Sequence, residues 1–406
     1  MHVVFVEPGF PNNQREFVRA LHAVGARVTA VGETPPERVG RETLARLAAY
    51  ERVSSVTNEQ ALYKAVRRIQ AREWVDRLEA TVEAHILQAA RVRAACTIPG
   101  TTERTAFLCR DKPAMKEALR AAGVPCARST GATSAEEVRE FADEVGLPLI
   151  LKPRDSAGAA GTFKASTREE LEQAIERCGV GRGVPTAVEE FVEGHEGFYD
   201  TITIEGGVVH DFAAHYFPNV LEAMRTRWIS PQILVTNRIN ERSYDEVKEL
   251  GRRVIAALGI GTSATHMEWF FGPKGLRFSE IGCRPPGVLV WDLYGAGNDL
   301  DLYVEWARAV VHGSTDAFAS RSASTGMIAL RPEGDGRIAG YEGRERIERS
   351  YADCILDACF PAPGTPTQPV EAGYMANAWV RMRHPDYDEL RRILDDVGRT
   401  IRVRVD

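Results

Sequence analysis

The sequence predicts a mixed α/β and α+β protein, and three observations carry that prediction. The chain opens β-α-β, which argues for a parallel sheet. Its middle holds paired apolar runs that read as hairpins. After residue 320 the pattern changes to strands rich in Arg and Gly, then a helix and a last strand. At 406 residues the chain is long enough for two or three domains.

The elements follow in order. HVVFVEPG is a buried-type strand, and NNQREFVRALHAVG is a helix with Phe17, Leu21 and Val24 on one face and Gly25 as its stop. ARVTAVGE is the second strand. The loop Glu7-Pro8-Gly9-Phe10-Pro11 lacks a full G-x-G-x-x-G, which argues against a dinucleotide site. Residues 58–95 read as largely helical, with a weaker strand near Ser54, and TIPGTTERTAFLCR reads as a connection out of the first unit near residue 107. Asp111 caps a helix with Pro113 in its first turn and Gly123 past its end. TSAEEVREFADEVG is a second capped helix, LPLILKP a strand, and TREELEQAIERCG a helix with a capping box from Thr167 to Glu170. TAVEEFVEG is a strand that leads into a loop, and GFYDTITIEGGVVHDFAAHYF is a hairpin. SYDEVKELGRRVIAALGI and NDLDLYVEWARAVVHG are helices. PDYDELRRILDDVG and IRVRV are the closing helix and strand. There is no internal repeat.

Composition excludes several function classes. An apolar fraction of 44% and a charged fraction of 27% are those of a soluble globular protein. A net charge of −6 gives no reason to expect nucleic acid as a partner. No apolar run has the length of a membrane span, and the start MHVVFV lacks a signal-peptide layout. Seven scattered cysteines without C-x-x-C are expected to be reduced thiols in a cytoplasmic protein.

The most informative residues are Glu268 in ATHMEWFF and Glu280 in LRFSEIGCRPPG, on two runs separated by GPKG. The period-2 rule puts His266, Glu268 and Phe270 on one face, and Thr265, Met267 and Trp269 on the other. Register decides the rest. Pairing Phe271 with Leu276 sends the two glutamates to opposite faces, whereas pairing Phe271 with Arg277 sets them across from each other. Opposed like charges are unfavourable on a sheet unless a cation lies between them, and carboxylate oxygens suit Mg²⁺. The plain alternative is two solvated acids on an exposed hairpin.

Further features accompany the pair. Lys112 sits at a helix start, where amide groups and the dipole favour anions. Lys152 ends an apolar strand, where a surface lysine is less expected. The stretch Ser156, Gly158, Gly161 and Thr162 is small enough for backbone N–H groups to approach a phosphate, although it is not a Walker loop. Glu189, Glu190, Phe191, Val192 and Glu196 lie on a strand that turns into a loop, an edge suited to an adenine with acids for amino and ribose groups.

In this order and spacing the elements resemble the ATP-grasp superfamily. The run D-K-x-x-M-K-x-x-L-x-x-x-G-V-P, the I-L-K-P strand, the small-residue loop, E-E-F-V-E-G-x-E, and two glutamates followed by Arg284 match its pattern over about residues 1–320. The segments His266-Met267-Glu268 and Glu280-Ile281-Gly282-Cys283-Arg284-Pro285-Pro286-Gly287 look like those of carboxylate–amine ligases and L-amino-acid ligases. The tail resembles the C-terminal portion of biotin-carboxylase-like members. One departure is that many members carry Asn where this chain has Gly282, which leaves the number of metal ions open.

The resemblance implies an ATP-grasp fold in three parts. These are a Rossmann-like N-terminal domain at 1–107, a two-lobed region at 108–320 with its small lobe at about 120–192, and a C-terminal α+β portion at 321–406. It implies ATP and Mg²⁺ as cofactors, with Mn²⁺ as a substitute, and Glu268 and Glu280 as metal ligands. Lys112 and Lys152 would neutralise phosphate oxygens, and Arg284 would hold the transferring phosphoryl or acyl oxygen through its planar fork. A carboxylic acid would be activated as an acylphosphate and joined to an amine, amino acids among the candidates for both, and a homo-oligomer is compatible with this. His266 would contact substrate or be a satisfied structural histidine. Glu83 lies where related ligases contact substrate, or is a solvated helical acid. Arg225, Arg227 and Trp228 fall in a polar segment that would cover the acid. A biotin-carboxylase-like subunit using bicarbonate and a non-catalytic ATP-binding regulator are the rival readings.

Overall fold

The computed structural model describes residues 1–154 and 161–406. The first unit is a parallel sheet of His2–Val6, Arg27–Gly32, Ala49–Arg52 and Arg77–Glu79, with His2–Val6 between the second and the last of these. Five consecutive buried residues in His2–Val6 fit a strand covered on both faces. The span 58–95 is less helical than its composition suggests. It holds the helices Glu59–Gln70 and Ile86–Cys96, and between them Arg77–Glu79 pairs with Val3–Phe5. That strand has three residues with one buried, Leu78, too short for a period to show. The expected strand near Ser54 lies at Ala49–Arg52, and a short helix, Glu103–Leu108, interrupts the expected connection.

The helix Gln14–Ala23 presents Phe17, Val18 and Leu21 inward. Phe17 meets Trp291, Tyr303 and Trp306 at ring distances of 5.4, 4.9 and 5.0 Å. Trp291 belongs to the helix Val290–Asn298, Tyr303 and Trp306 to Leu302–His312, so the first unit shares a core with the centre of the chain. Truncating such a ring to Ala costs about 3–5 kcal/mol.

A small antiparallel sheet runs Ser129–Ala132, Thr186–Glu190, Leu149–Pro153, Phe163–Ala165. The helices Ala135–Val145 and Arg168–Cys178 pack on it through Val138, Phe141, Leu171 and Ile175. The first has a complete capping box between Ser134 and Glu137. The box expected at Thr167 is only half formed, because the Glu170 carboxylate accepts from the Ser166 amide at 2.6 Å instead.

The large sheet has eight strands among the described residues, in the order Gly275–Gly282, Ser263–Gly272, His195–Ile204, Gly207–Phe217, Gln232–Val235, Ser324–Leu330, Ala378–His384, Ile355–Cys359. Its last three strands come from beyond residue 320. The tail therefore does not stand apart: it continues the sheet that carries the glutamate hairpin, and only Ile338–Glu342 and Arg402–Val405 pair separately. None of the described helices is long and apolar enough to cross a membrane.

Candidate active site

The hairpin combines features that the sequence reading treated as exclusive. Phe271 pairs with Leu276 and Gly272 with Gly275, the register that should separate the glutamates. Glu268 nevertheless pairs with Glu280. A bulge at Ser279 adds one residue to the second strand, and one residue is enough to flip a face. At that point the Phe278 amide donates outward to the Pro125 carbonyl at 2.8 Å. The turn is held close to the rest of the sheet: a Cβ at Gly272 would come within 2.1 Å of the Glu193 carbonyl.

Both glutamates open into a cavity of about 450 Å³ between the small and large sheets, within the size range of small-molecule sites. Lys116, Lys152, Thr162, Glu189, Glu190, Phe191, Val192, Glu196 and Arg225 also line it. Two lysines, Lys116 buried and Lys152 half-buried, grip one acid: Lys116 Nζ lies 2.8 Å and Lys152 Nζ 2.9 Å from Glu189 Oε2. Burial alone would raise the Glu189 pKa, but the two lysines pull it down to about 2. Its other oxygen, Oε1, is buried without a partner among the described residues. Burial pulls the Lys116 pKa down. The same burial acts on Lys152, but Glu189 and Glu280 more than offset it and hold that pKa up.

Lys116 was missed in the sequence reading, although the D-K-x-x-M-K run contains it. It stands one turn after Lys112 on the helix Lys112–Ala121, hence on the same face. Lys112 does not line the cavity. It is buried, with Nζ 3.4 Å from Glu280 Oε2, and Lys152 reaches the same oxygen at 3.9 Å. Burial opposes ionisation of Glu280, and Lys112 and Lys152 outweigh it, so its pKa is lowered. The helix start is fixed by Asp111, whose carboxylate accepts from the Ala114 amide and from the Arg154 guanidinium.

Glu196 is 5% exposed and accepts from the Val220 amide at 2.6 Å. Burial and the charge of Glu268 push its pKa up to about 8. It lines the same cavity as Glu268. Glu190 ties the sheets together, accepting from the Arg128 amide and from Lys274 in the hairpin turn. The Phe191 ring lies under Lys164 Nζ at 3.8 Å. Thr162 lines the cavity, and its carbonyl accepts from Arg225. Gly161 has φ +69°. Ser156 and Gly158 lie outside the described residues.

His266 Nδ1 is 2.7 Å from Asp200 Oδ1, and Tyr294 donates to the other Asp200 oxygen at 2.5 Å. Burial opposes its charge, but Asp200 raises its pKa to about 9. Its Nε2 is 3.6 Å from Glu268 Oε1, so the ring backs that glutamate. Arg284 lies in a separate small cleft with Arg93 and Cys283. Arg284 Nε donates to Glu83 Oε2 at 2.7 Å, and Arg110 donates to Glu83 Oε1 at 3.1 Å. The solvated alternative for Glu83 does not hold: its side chain is 20% exposed and bridges two guanidiniums. Arg227 pairs with Asp335, and Trp228 is 86% exposed, so neither covers the cavity.

Two sheets enclose a cavity lined by lysines and carboxylates. Residues 117–296 match the ATP-grasp domain model, and the chain carries the ATP-grasp fold. Among known proteins it is similar to alanine--anticapsin ligase of Bacillus subtilis, 30% identical over 39% of this chain and 37% of that protein. It is also similar to the L-arginine-specific L-amino acid ligase of Bacillus subtilis, 26% identical over 52% of each chain. These matches thus span about half or less of those relatives' own length. The crystal structure of an L-amino acid ligase from Bacillus licheniformis superposes with a TM-score of 0.79 at 15% identity, covering 100% of this chain and 98% of that one.

Proposed function

We propose that this protein is an ATP-dependent carboxylate–amine ligase. The carrying observation is the cavity itself, a space of about 450 Å³ lined together by Lys116, Lys152, Glu268 and Glu280. ATP suits such a space. The lysines supply charge for phosphate oxygens, and the strand end Glu189–Val192 supplies backbone groups and acids for the base and ribose. The unpartnered Glu189 Oε1 is an acceptor for an amino group of the base.

The residues also fit Mg²⁺. Glu268 and Glu280 are opposed carboxylates, and the raised Glu196 marks a crowd of acids that a divalent cation relieves. When bound, the ion would neutralise phosphate oxygens; Mn²⁺ is the expected substitute. Lys112 and Lys152 hold Glu280 ionised, and His266 and Asp200 fix Glu268 from the side. Ser156 and Gly158, outside the described residues, remain candidates for phosphate contact together with Gly161 and Thr162.

In the reaction the acid's carboxylate attacks the γ-phosphorus of ATP and ADP leaves. An amine then displaces phosphate from the acylphosphate, giving an amide. Arg284, oriented by Glu83, would hold the transferring group; phosphoryl transfer needs such positioning more than covalent help. Small acids and amines are the substrates, with amino acids favoured by the names of the relatives. The division into 1–107, 108–320 and 321–406 accompanies this reading, with the last part sharing the large sheet.

The test is a pooled screen of amino acids and small carboxylic acids for phosphate release with ATP and Mg²⁺, followed by mass spectrometry of the product. An amide that needs both acid and amine supports the reading. Phosphate release with bicarbonate and biotin alone would favour a carboxylase, and nucleotide binding without turnover would favour a regulator.

A further inference from the structure

Cys109 follows the helix Glu103–Leu108, three residues before Lys112. Cys283 follows the strand Gly275–Gly282 and directly precedes Arg284. The two are 174 residues apart in sequence, yet their Sγ atoms are 3.1 Å apart, and both residues are 4% exposed. We propose that Cys109 and Cys283 are an oxidisable pair whose reversible disulfide locks the turn that carries Arg284.

The geometry supports bond formation. A disulfide has its sulfurs about 2.0 Å apart, so the pair must close by about 1 Å. Cys283 lines a small cleft of about 10 Å³ that also holds Arg93 and Arg284. Cys109 does not line that cleft. Its hydrogen bond with Cys283 and its burial hold its thiol well above the usual range, so Cys283, which lines the cleft, is the sulfur that meets the oxidant first.

The oxidant class is a hydroperoxide, with hydrogen peroxide as its simplest member. Cys283 gives up its proton, and its sulfur attacks one peroxide oxygen. The O–O bond breaks, the other oxygen leaves as hydroxide and takes the proton, and Cys283 becomes a sulfenic acid. The Cys109 sulfur then attacks the Cys283 sulfur, and the sulfenic oxygen leaves with the Cys109 proton as water. Two thiols and one peroxide give one disulfide and two waters.

The cross-link would join the segment entering the Lys112 helix to the turn after Glu280. Closing the sulfurs pulls on Gly282 to Arg284, where the Arg284–Glu83 contact of 2.7 Å is made. A displacement of about 1 Å at a reacting centre can lower turnover about a hundredfold. The bond itself does not depend on the ligase reading, whereas its effect on turnover rests on that reading.

The test treats the full chain with graded hydrogen peroxide, quenches free thiols, and maps peptides without reduction. The expected result is a peptide joining Cys109 to Cys283 that dithiothreitol releases. Phosphate release should fall at least about tenfold and recover on reduction. Cys109→Ser, and separately Cys283→Ala, should show no linked peptide and no reversible loss relative to its own untreated sample. The inference is overturned if Cys126 or Cys178 oxidises while this pair stays reduced. It is also overturned if the link forms and turnover does not change. If untreated enzyme releases no phosphate with any substrate pool, the ligase reading fails, and the peptide map still decides the bond.

Discussion

Gly282 leaves room for Glu83: a Cβ at position 282 would stand 3.0 Å from Glu83 Oε2, 3.4 Å from Arg284 Cγ and 3.5 Å from Arg284 Nε. The missing side chain beside the second glutamate is therefore matched by a carboxylate delivered from the first unit of the chain. Glu83 enters from the short turn Glu83–His85 and closes a bridge from Arg110 to Arg284.

The first prediction concerns that bridge. Glu83→Gln keeps shape but removes the charge shared by two guanidiniums. One charge-assisted contact of about 1.5–3 kcal/mol should be lost from stability. Gly282→Ala should destabilise by about 1–3 kcal/mol through crowding. A smaller residue at 83 should relieve that crowding, so Glu83→Ala with Gly282→Ala should cost less than the sum of the two singles. Urea unfolding of the four proteins gives the coupling energy. Strict additivity would mean that the two positions do not share space.

The second concerns the metal. Glu280→Gln should abolish phosphate release and weaken its Mg²⁺ dependence. It removes the carboxylate charge while nearly keeping volume; Lys112 and Lys152 lose a counter-charge, so stability should fall while the fold survives. Glu268→Gln should behave similarly. A magnesium titration of turnover, read beside a far-UV spectrum, checks both. Unchanged magnesium response in both variants would remove the shared-cation reading.

How far the site was legible in sequence depends on the residue. The glutamate pair, Lys152 and the Glu189 strand end stand in runs whose period and apolar flanks mark them. The bulge at Ser279 does not, because alternation reads the face within a strand and is blind to one inserted residue in the pairing. Lys116 is one lysine of a capped helix, and nothing in its run marks it out until Glu189 arrives from a strand about seventy residues on. Glu83 and Arg284 are 201 positions apart, and no local pattern links them. Likewise the fold's outline was readable from capped helices and strand runs. That the tail completes the large sheet was not, since strand order is set by long-range pairing.

The third prediction is a pH dependence from Glu189. Its folded pKa, about 2, lies below the ordinary 4.5. The unfolded chain therefore binds the proton first as pH falls. The stabilisation from Lys116 and Lys152 is complete above pH 4.5 and is lost as pH falls towards 2. Glu189→Gln should flatten this acid limb and lower stability near neutrality, because Lys116 and Lys152 lose their counter-charge. Glu196 has the opposite sign. Its folded pKa of about 8 lies above 4.5, so its contribution is complete below pH 4.5 and disappears as pH rises to about 8. Glu196→Gln should remove that decline. Melting temperatures of the three proteins from pH 3 to 9 would show both slopes, and parallel curves would contradict both assignments.

The last prediction concerns the order of chemistry. If an acylphosphate forms, the acid must lie beside the γ-phosphate and Arg284, with the amine arriving afterwards. Arg284→Lys keeps the positive charge but loses the planar fork that meets Glu83 and an oxyanion at once. Losing one charge-assisted contact of about 1.5–3 kcal/mol corresponds to about a ten- to hundredfold loss of turnover. ATP binding should survive, because Arg284 lines a separate small cleft and not the wall of the main cavity. The measurement supplies ATP, the acid and hydroxylamine in place of the amine. Wild type should yield a hydroxamate, and the Arg284→Lys protein ten- to hundredfold less at equal nucleotide occupancy. Equal trapping by both would take Arg284 out of acyl activation and leave it as the partner that Glu83 holds at the seam between the two units.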